Sequence, residues 1–334
     1  MKYLFNCIFL FISILVTGQD TIVVMHYNLL NFGVFTDYCT INNNDPEDKI
    51  DWLKVVIDNY VPDILAVNEI ASSAYYQDIV LNNAMNTSGR DYFMRAQGTN
   101  NAGSQIVNML YYNNNKFGLA MQDVVEHYMR DMNVYKLFYR STGLANGADT
   151  TFLYVFSAHL KAGLSGDDKS TRGQMAALIM DYVQANQITD ACIVSGDFNL
   201  QNNLEPAWLN FTQGDQEVYR FSDPVNMVGI WHNNPDFASV HSQSTNISSN
   251  GCIAAGGMDD RFDFLLINNM LKNDDSNIQF IAGSYVTPGQ DGQRLNGSLV
   301  DPPNNSAPAD VINAMFNFSD HLPVLLKLKI ETNT

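Results

Sequence analysis

Short runs of β-branched and aromatic residues alternate along this chain with stretches of helical period. TIVVMHYN (residues 21–28), DILAVNE (63–69), QIVNMLYY (105–112), VYKLFYR (134–140), TFLYVFSAHL (151–160), ACIVSGD (191–197), RFDFLLIN (261–268) and HLPVLLKLKI (321–330) predict strands. EDKIDWLKVVIDNY (47–60), SSAYYQDIVLNNAM (72–85) and KSTRGQMAALIMDYVQANQ (169–187) predict helices. In the first helix Ile50, Leu53, Lys54 and Ile57 keep a helical period, and Asp45 is placed to cap it. Residues 286–310 carry four prolines and no apolar period, which predicts a long mobile surface loop. Asn-rich tracts near 42–44, 113–115 and 202–203 read as turns. No repeat and no Pro- or Ser-rich linker divides the chain, so one α/β domain over residues 20–334 is the simpler expectation.

The first 19 residues change that picture at one end. Lys2 followed by an apolar run from Leu4 to Val16 and a small or polar stretch reads as a signal peptide, the alternative being an anchor that stays attached. Export would leave the protein secreted, extracellular or periplasmic, without a stable membrane anchor. Cys39, Cys192 and Cys252 remain after such processing. Cys192 sits in an apolar run, whereas Cys39 and Cys252 lie in polar segments of an exported chain. That predicts a Cys39–Cys252 disulfide, with three free thiols as the alternative.

Charge bears on the substrate. The 18 basic and 35 acidic residues give −17, or −18 once Lys2 is removed. Such a surface disfavours loose adhesion to a phosphate backbone. A site built of carboxylates can still recruit divalent cations that attract phosphate.

Four predicted strands end in polar residues that packing does not explain: Asn28, Glu69, His159 and Asp197. Strand ends gathered at one rim are where a sheet-based enzyme assembles its site. In SGDFN, Gly196 permits a tight backbone, and Asp197 and Asn199 would share one side if extended geometry persists; an ordinary Asp/Asn turn is the alternative. In SDHLPV, Asp320 and His321 precede an apolar final strand, a pairing suited to metal binding or acid/base work, although Ser-Asp alone could be a cap. His26, His127, His232 and His241 lack metal-ligand spacing and read as structural or surface residues, and Arg261 as an ion-pair partner. No P-loop, Rossmann fingerprint or GxSxG is present.

Taken in order, HYNLLNF, AVNEI, SAHLKAG, SGDFN, RFDFLLIN and SDHLPV resemble the endonuclease/exonuclease/phosphatase (DNase I-like) superfamily over roughly residues 21–330, with NLLNFG similar to secreted bacterial nucleases. The resemblance implies a four-layer α/β/β/α sandwich of two mixed sheets flanked by helices. It implies a monomeric, metal-dependent phosphoric ester hydrolase acting on DNA or RNA, with phosphorylated lipids or sugars as the alternative substrates. Asn28, Glu69 and Asp320 would hold Mg²⁺, with Mn²⁺ or Ca²⁺ as other candidates. Asp197 would activate water, Asn199 would steady it, and His159 and His321, the latter oriented by Asp263, would stabilise the phosphoryl oxygens. Lys161 and Arg172 would clamp a substrate phosphate, the alternative for Arg172 being a solvated pair with Asp167 or Asp168. Two departures stand out. Leu30 occupies a position where many relatives carry an acid, and Phe156 stands where relatives specialised for abasic DNA carry Tyr.

Overall fold

A computed structural model describes residues 17–144, 149–273 and 276–333. Residues 1–16, most of the expected signal segment, lie outside the described residues. Strand β1 (Thr17–Phe32) is followed by helix α1 (Pro46–Tyr60), β2 (Ile64–Ala71), α2 (Ala74–Val80), β3 (Phe93–Arg95), β4 (Ile106–Asn113), β5 (Phe117–His127), β6 (Asp131–Tyr139) and β7 (Phe152–His159). The order continues through α3 (Gly166–Ala185), β8 (Ala191–Asp197), α4 (Pro206–Gln213), β9 (Phe221–Ser222), β10 (Asp263–Asn268), α5 (Asn269–Lys272), β11 (Ile278–Phe280), α6 (Ala309–Phe318) and β12 (Val324–Asn333). Two six-stranded sheets result, ordered β11-β12-β1-β2-β4-β3 and β5-β6-β7-β8-β10-β9. Both are mixed: β1 runs parallel to β2 and β7 parallel to β8, while the other pairings are antiparallel.

Alternation along the central strands builds the layers, because successive side chains of a strand face opposite ways. Ile22 and Val24 of β1, Ile64 and Ala66 of β2, Ile193 of β8, Leu265 and Ile267 of β10, and Leu326 and Leu328 of β12 meet in a core between the sheets. Their neighbours Met25, Tyr27, Leu65 and Val67 face outward and pack with Leu53, Val56 and Ile57 of α1 and Ile312 and Met315 of α6. On the other sheet Cys192, Val194, Phe264 and Leu266 pack with Met175 and Ile179 of α3 and Trp208 and Phe211 of α4. Three cores separating four layers make this the α/β/β/α sandwich. The strands are apolar on both faces because each face is covered.

Local chemistry sets the helix starts. Asp45 caps α1 by accepting from Glu47 N. Helix α3 begins at Gly166, three residues before its predicted start, because Ser165 and Asp168 form a capping box. Cys39 and Cys252 are joined in a disulfide, and Cys192 is a buried thiol.

Residues 286–310 depart from the expected mobile surface loop. Leu299 is wholly buried in the α1/α6 core, Val286 bridges to Leu325, and Arg294 bonds Asp291 and the carbonyls of Asp301 and Pro303. Isolated anchors of this kind have no periodicity to reveal them. Among the described residues no helix is long and apolar enough to cross a membrane.

Candidate active site

Strand register gathers the polar strand ends. Asn28 pairs with Asn68 across β1 and β2, one residue before Glu69. His159 pairs with Asp197 across β7 and β8, and Asp263 pairs with Asp197 from the other side. Gly196 makes the β7–β8 approach possible, since a Cβ there would lie 1.8 Å from Ala158 O. The turn that leads into β12 brings Asp320 and His321 to the same rim.

Asp197 lies at the centre. Its Oδ2 accepts from Asn28 Nδ2 at 3.1 Å and lies 3.5 Å from His159 Nε2 and 3.8 Å from His321 Nε2. Asn28 Nδ2 also reaches Glu69 Oε1 at 3.2 Å, while its Oδ1 accepts from Leu30 N at 2.9 Å. Asn28 is therefore an amide donor spanning two carboxylates. Leu30, Asn31 and Glu69 hold left-handed backbone (φ +46°, +49° and +58°), a costly conformation for residues with side chains. It lets Asn31 N donate to Glu69 Oε2 at 3.0 Å.

Extended geometry does not persist through SGDFN. Asn199 turns to φ +52°, its N–H returning to Asp197 Oδ1 at 3.1 Å and its side chain reaching toward Leu160 O at 3.4 Å. The expectation that Asp197 and Asn199 share one side by strand alternation is thus corrected: a local Asx-type bond outcompetes the strand.

His321 Nδ1 lies 2.7 Å from Asp263 Oδ2, and His26 Nε2 lies 3.1 Å from the other oxygen of that carboxylate. Ser242 Oγ donates to Asp263 Oδ2 at 2.7 Å. Asp320 Oδ2 accepts from Ala254 N at 3.0 Å and Gln243 Nε2 at 3.3 Å. Its Oδ1 is buried with no protein partner.

Burial dominates the electrostatics. It raises Asp197 to about 7 with help from the Asp263 and Glu69 charges, although His321 opposes the shift. Asp320 is raised mainly by burial, again opposed by His321. Burial also acts upward on Asp263, but His321 and His26 outweigh it and hold that carboxylate below its usual range. Burial would lower His321, yet Asp263 and Asp197 outweigh it and hold the imidazole well above the usual value. His159 is pushed well down by burial and by the nearby Arg130 charge.

One oxygen of Glu69, one nitrogen of His159 and one oxygen of Asp197 lie within 4.8 Å of one another, an arrangement able to hold a metal ion. The raised carboxylates and the unpartnered Asp320 oxygen fit a hard divalent cation, which would supply the missing positive charge.

Of the two expected phosphate clamps, Arg172 is placed otherwise. Arg172 is wholly buried, its guanidinium bonded to Glu205 and to the carbonyls of Lys161 and Gly163. It clips the His159 loop to α4 and is neither a free phosphate ligand nor a solvated partner of Asp167 or Asp168. Lys161 is paired with Asp168 at 3.0 Å. Arg261 forms a buried two-point pair with Asp223.

Four contributors escaped the sequence reading. His26, read there as structural or surface, holds Asp263. Asn68 Oδ1 accepts from Asp197 N at 2.9 Å and passes its amide to Asn108, which bonds Ser157 O across the sheets. Gln243 Nε2 lies 2.8 Å from His321 Nε2. Arg130, in the β5–β6 turn, donates to His159 O at 3.0 Å and feels the Glu69 and Asp197 charges. Only Asn68 left a signal, as a polar residue inside the apolar run DILAVNE.

The sequence matches no protein-family model and no curated protein. Solved structures are similar in shape. An endonuclease/exonuclease/phosphatase from Bacteroides vulgatus superposes with TM-score 0.57 at 12% identity, covering 93% of this chain and 100% of that one. An endonuclease/exonuclease/phosphatase family protein from Bacteroides thetaiotaomicron gives 0.54 at 10% identity, covering 94% and 99%. D. rerio TDP2, in complex with a single-strand DNA product, gives 0.54 at 11% identity, covering 92% and 99%. This chain therefore has the endonuclease/exonuclease/phosphatase fold, with a cluster of acids, amides and imidazoles on the rim where its strands end.

Proposed function

We propose that the chain is an exported, divalent-metal-dependent phosphodiesterase that hydrolyses DNA or RNA by in-line attack of water. The observation that carries this reading is the placing of Asp197 between His159, Asn28 and His321, with Asp263 behind His321. The single-strand DNA product in the TDP2 structure supports nucleic acid as substrate.

Asp197, a buried carboxylate whose proton affinity is raised by burial, is placed between His159 and Asn28 to take a proton from water. His321, held toward its charged form, and neutral His159 donate to phosphoryl oxygens as charge builds on them. Glu69, which lies with His159 and Asp197 in the cluster able to hold an ion, and Asp320, with its unpartnered oxygen, would hold a divalent ion, Mg²⁺ above all, with Asn28 spanning Glu69 and Asp197 beside it. When bound, that ion stabilises the leaving oxygen. Arg130 adds positive charge beside His159. The apolar segment at the start of the sequence supports export, and N-terminal sequencing of the mature protein from a culture medium or periplasm tests it.

The test is hydrolysis of plasmid DNA, RNA, bis(p-nitrophenyl) phosphate and sphingomyelin, with Mg²⁺ or with EDTA, beside His159→Ala. Nucleic-acid cleavage lost in EDTA and in the variant supports the proposal. EDTA-resistant activity overturns the metal mechanism, and turnover confined to sphingomyelin moves the substrate to lipids.

A further inference from the structure

A concave cavity of about 720 Å³ opens beside the Glu69 end of the rim, between the segment after β1, the first turn of α1, and α2. Phe35, Ile41 and Tyr75 supply apolar lining, and Asp45, Glu47 and Asn83 supply polar lining. Phe35, Ile41 and Tyr75 are 45%, 54% and 66% exposed, so the cavity presents apolar side chains to solvent.

The cavity is tied to the site through its two walls. One wall leaves β1 just after Asn31, whose N–H bonds Glu69, and the other leaves β2 just after Glu69 itself. The walls touch where Gly33 lies flat against the Tyr76 ring: a Cβ at Gly33 would lie 2.3 Å from that ring. The loop carrying Phe35 and Ile41 is also braced, by the Cys39–Cys252 disulfide, by Asn43 bonded to Asn250 O, and by Asn44 bonded to Asn31 O and Lys49. A braced pocket loses little entropy when it is filled.

Lining chemistry selects the occupant. Aromatic and aliphatic side chains favour a flat ring by stacking and apolar contact. The carboxylates and the amide add acceptors for the amino groups on a base edge. Two acids in the lining repel phosphate, so an uncharged base would enter while its phosphate stays at the Glu69–His159 end. A concave surface also does not suit a bilayer, which needs an apolar face that projects.

We propose that this cavity is a nucleobase subsite for a nucleotide flanking the scissile phosphate. It rests on the nuclease reading above and sharpens it to a substrate with unpaired bases.

The test compares kcat/KM for a single-stranded oligonucleotide with that for a strand of equal length built of tetrahydrofuran abasic units, with bis(p-nitrophenyl) phosphate and sphingomyelin vesicles as further substrates. Wild type, Tyr75→Ala, Phe35→Ala and Tyr75→Trp are assayed; the replaced side chains face solvent, and circular dichroism checks each fold. The wild type should favour the base-bearing strand by about 10-fold or more. Both alanine variants should lose that preference through KM, with abasic cleavage unchanged, and Tyr75→Trp should keep it. Equal losses on both strands, or no loss on either, overturn the subsite while leaving the nuclease reading intact. If the wild type cleaves bis(p-nitrophenyl) phosphate but neither strand, the nuclease reading itself fails and the subsite falls with it. A Tyr75→Ala defect confined to sphingomyelin vesicles assigns the cavity to lipid and overturns the proposal.

Discussion

Asp263 Oδ2 lies 2.7 Å from His321 Nδ1, so the ring is held by one nitrogen and presents the other, Nε2, toward Asp197. Replacing the carboxylate by an amide leaves a single carbonyl oxygen to accept from Nδ1 and removes the charge that holds the ring protonated. Asp263→Asn should lower kcat by roughly 10²- to 10⁴-fold, by analogy with other His–carboxylate pairs. KM should move within a few fold. Steady-state kinetics across pH checks this, and a kcat within threefold of wild type would show that Asp263 is not needed to orient His321.

Two arginines near His159 should separate by phenotype. Arg172 is buried with Glu205, and its removal strands that carboxylate. Arg172→Met should cost about 3–5 kcal/mol in urea unfolding. Arg130 is half-buried and faces the site charges, so Arg130→Met should leave the unfolding midpoint nearly unchanged and reduce phosphodiester hydrolysis at least about 10-fold. The reverse pattern would exchange the two roles.

The disulfide spans 213 residues and ties the loop after β1 to the loop preceding Ala254, whose N–H bonds Asp320. Reduction, or the pair Cys39→Ser and Cys252→Ser, should cost about 2–5 kcal/mol of stability. Thermal melts with and without dithiothreitol measure the loss. An unchanged melting temperature after thiol titration has confirmed reduction would contradict it.

Asp260, partly desolvated beside Asp259, is raised to about 6, chiefly by burial. An acid raised in the folded state is most favourable while protonated, and its contribution falls as pH climbs from the unfolded carboxylate value through about 6. Asp260→Asn should therefore be nearly neutral at pH 4 and stabilise by on the order of 1 kcal/mol at pH 7.5. Urea melts at both pH values test the sign, and equal effects at both would refute it.

Much of the site was legible because polar residues at the ends of apolar strands conflict with packing, and Asn28, Glu69, His159 and Asp197 stand out for that reason. SGDFN and SDHLPV added the order of motifs that carries the family resemblance, and that resemblance implied the four-layer fold. His26 and Gln243 gave no such signal. One lies within a strand and the other in an irregular loop, and each acts only through a residue more than 70 positions away.

The sequence by itself determined the strand and helix alternation, the two-sided burial of the central strands and the residue types of the rim, since each depends on local periodicity or on a polar residue inside an apolar run. Only the tertiary structure decided which of those residues meet. Register set Asp197 against His159 and Asp263, while a left-handed turn took Asn199 out of alternation. Burial committed Arg172 to Glu205, and the segment after β1 met α2 to close the aromatic cavity. Contacts between distant segments depend on register, backbone sign and the layer each strand occupies, and those are properties of the assembled sheets.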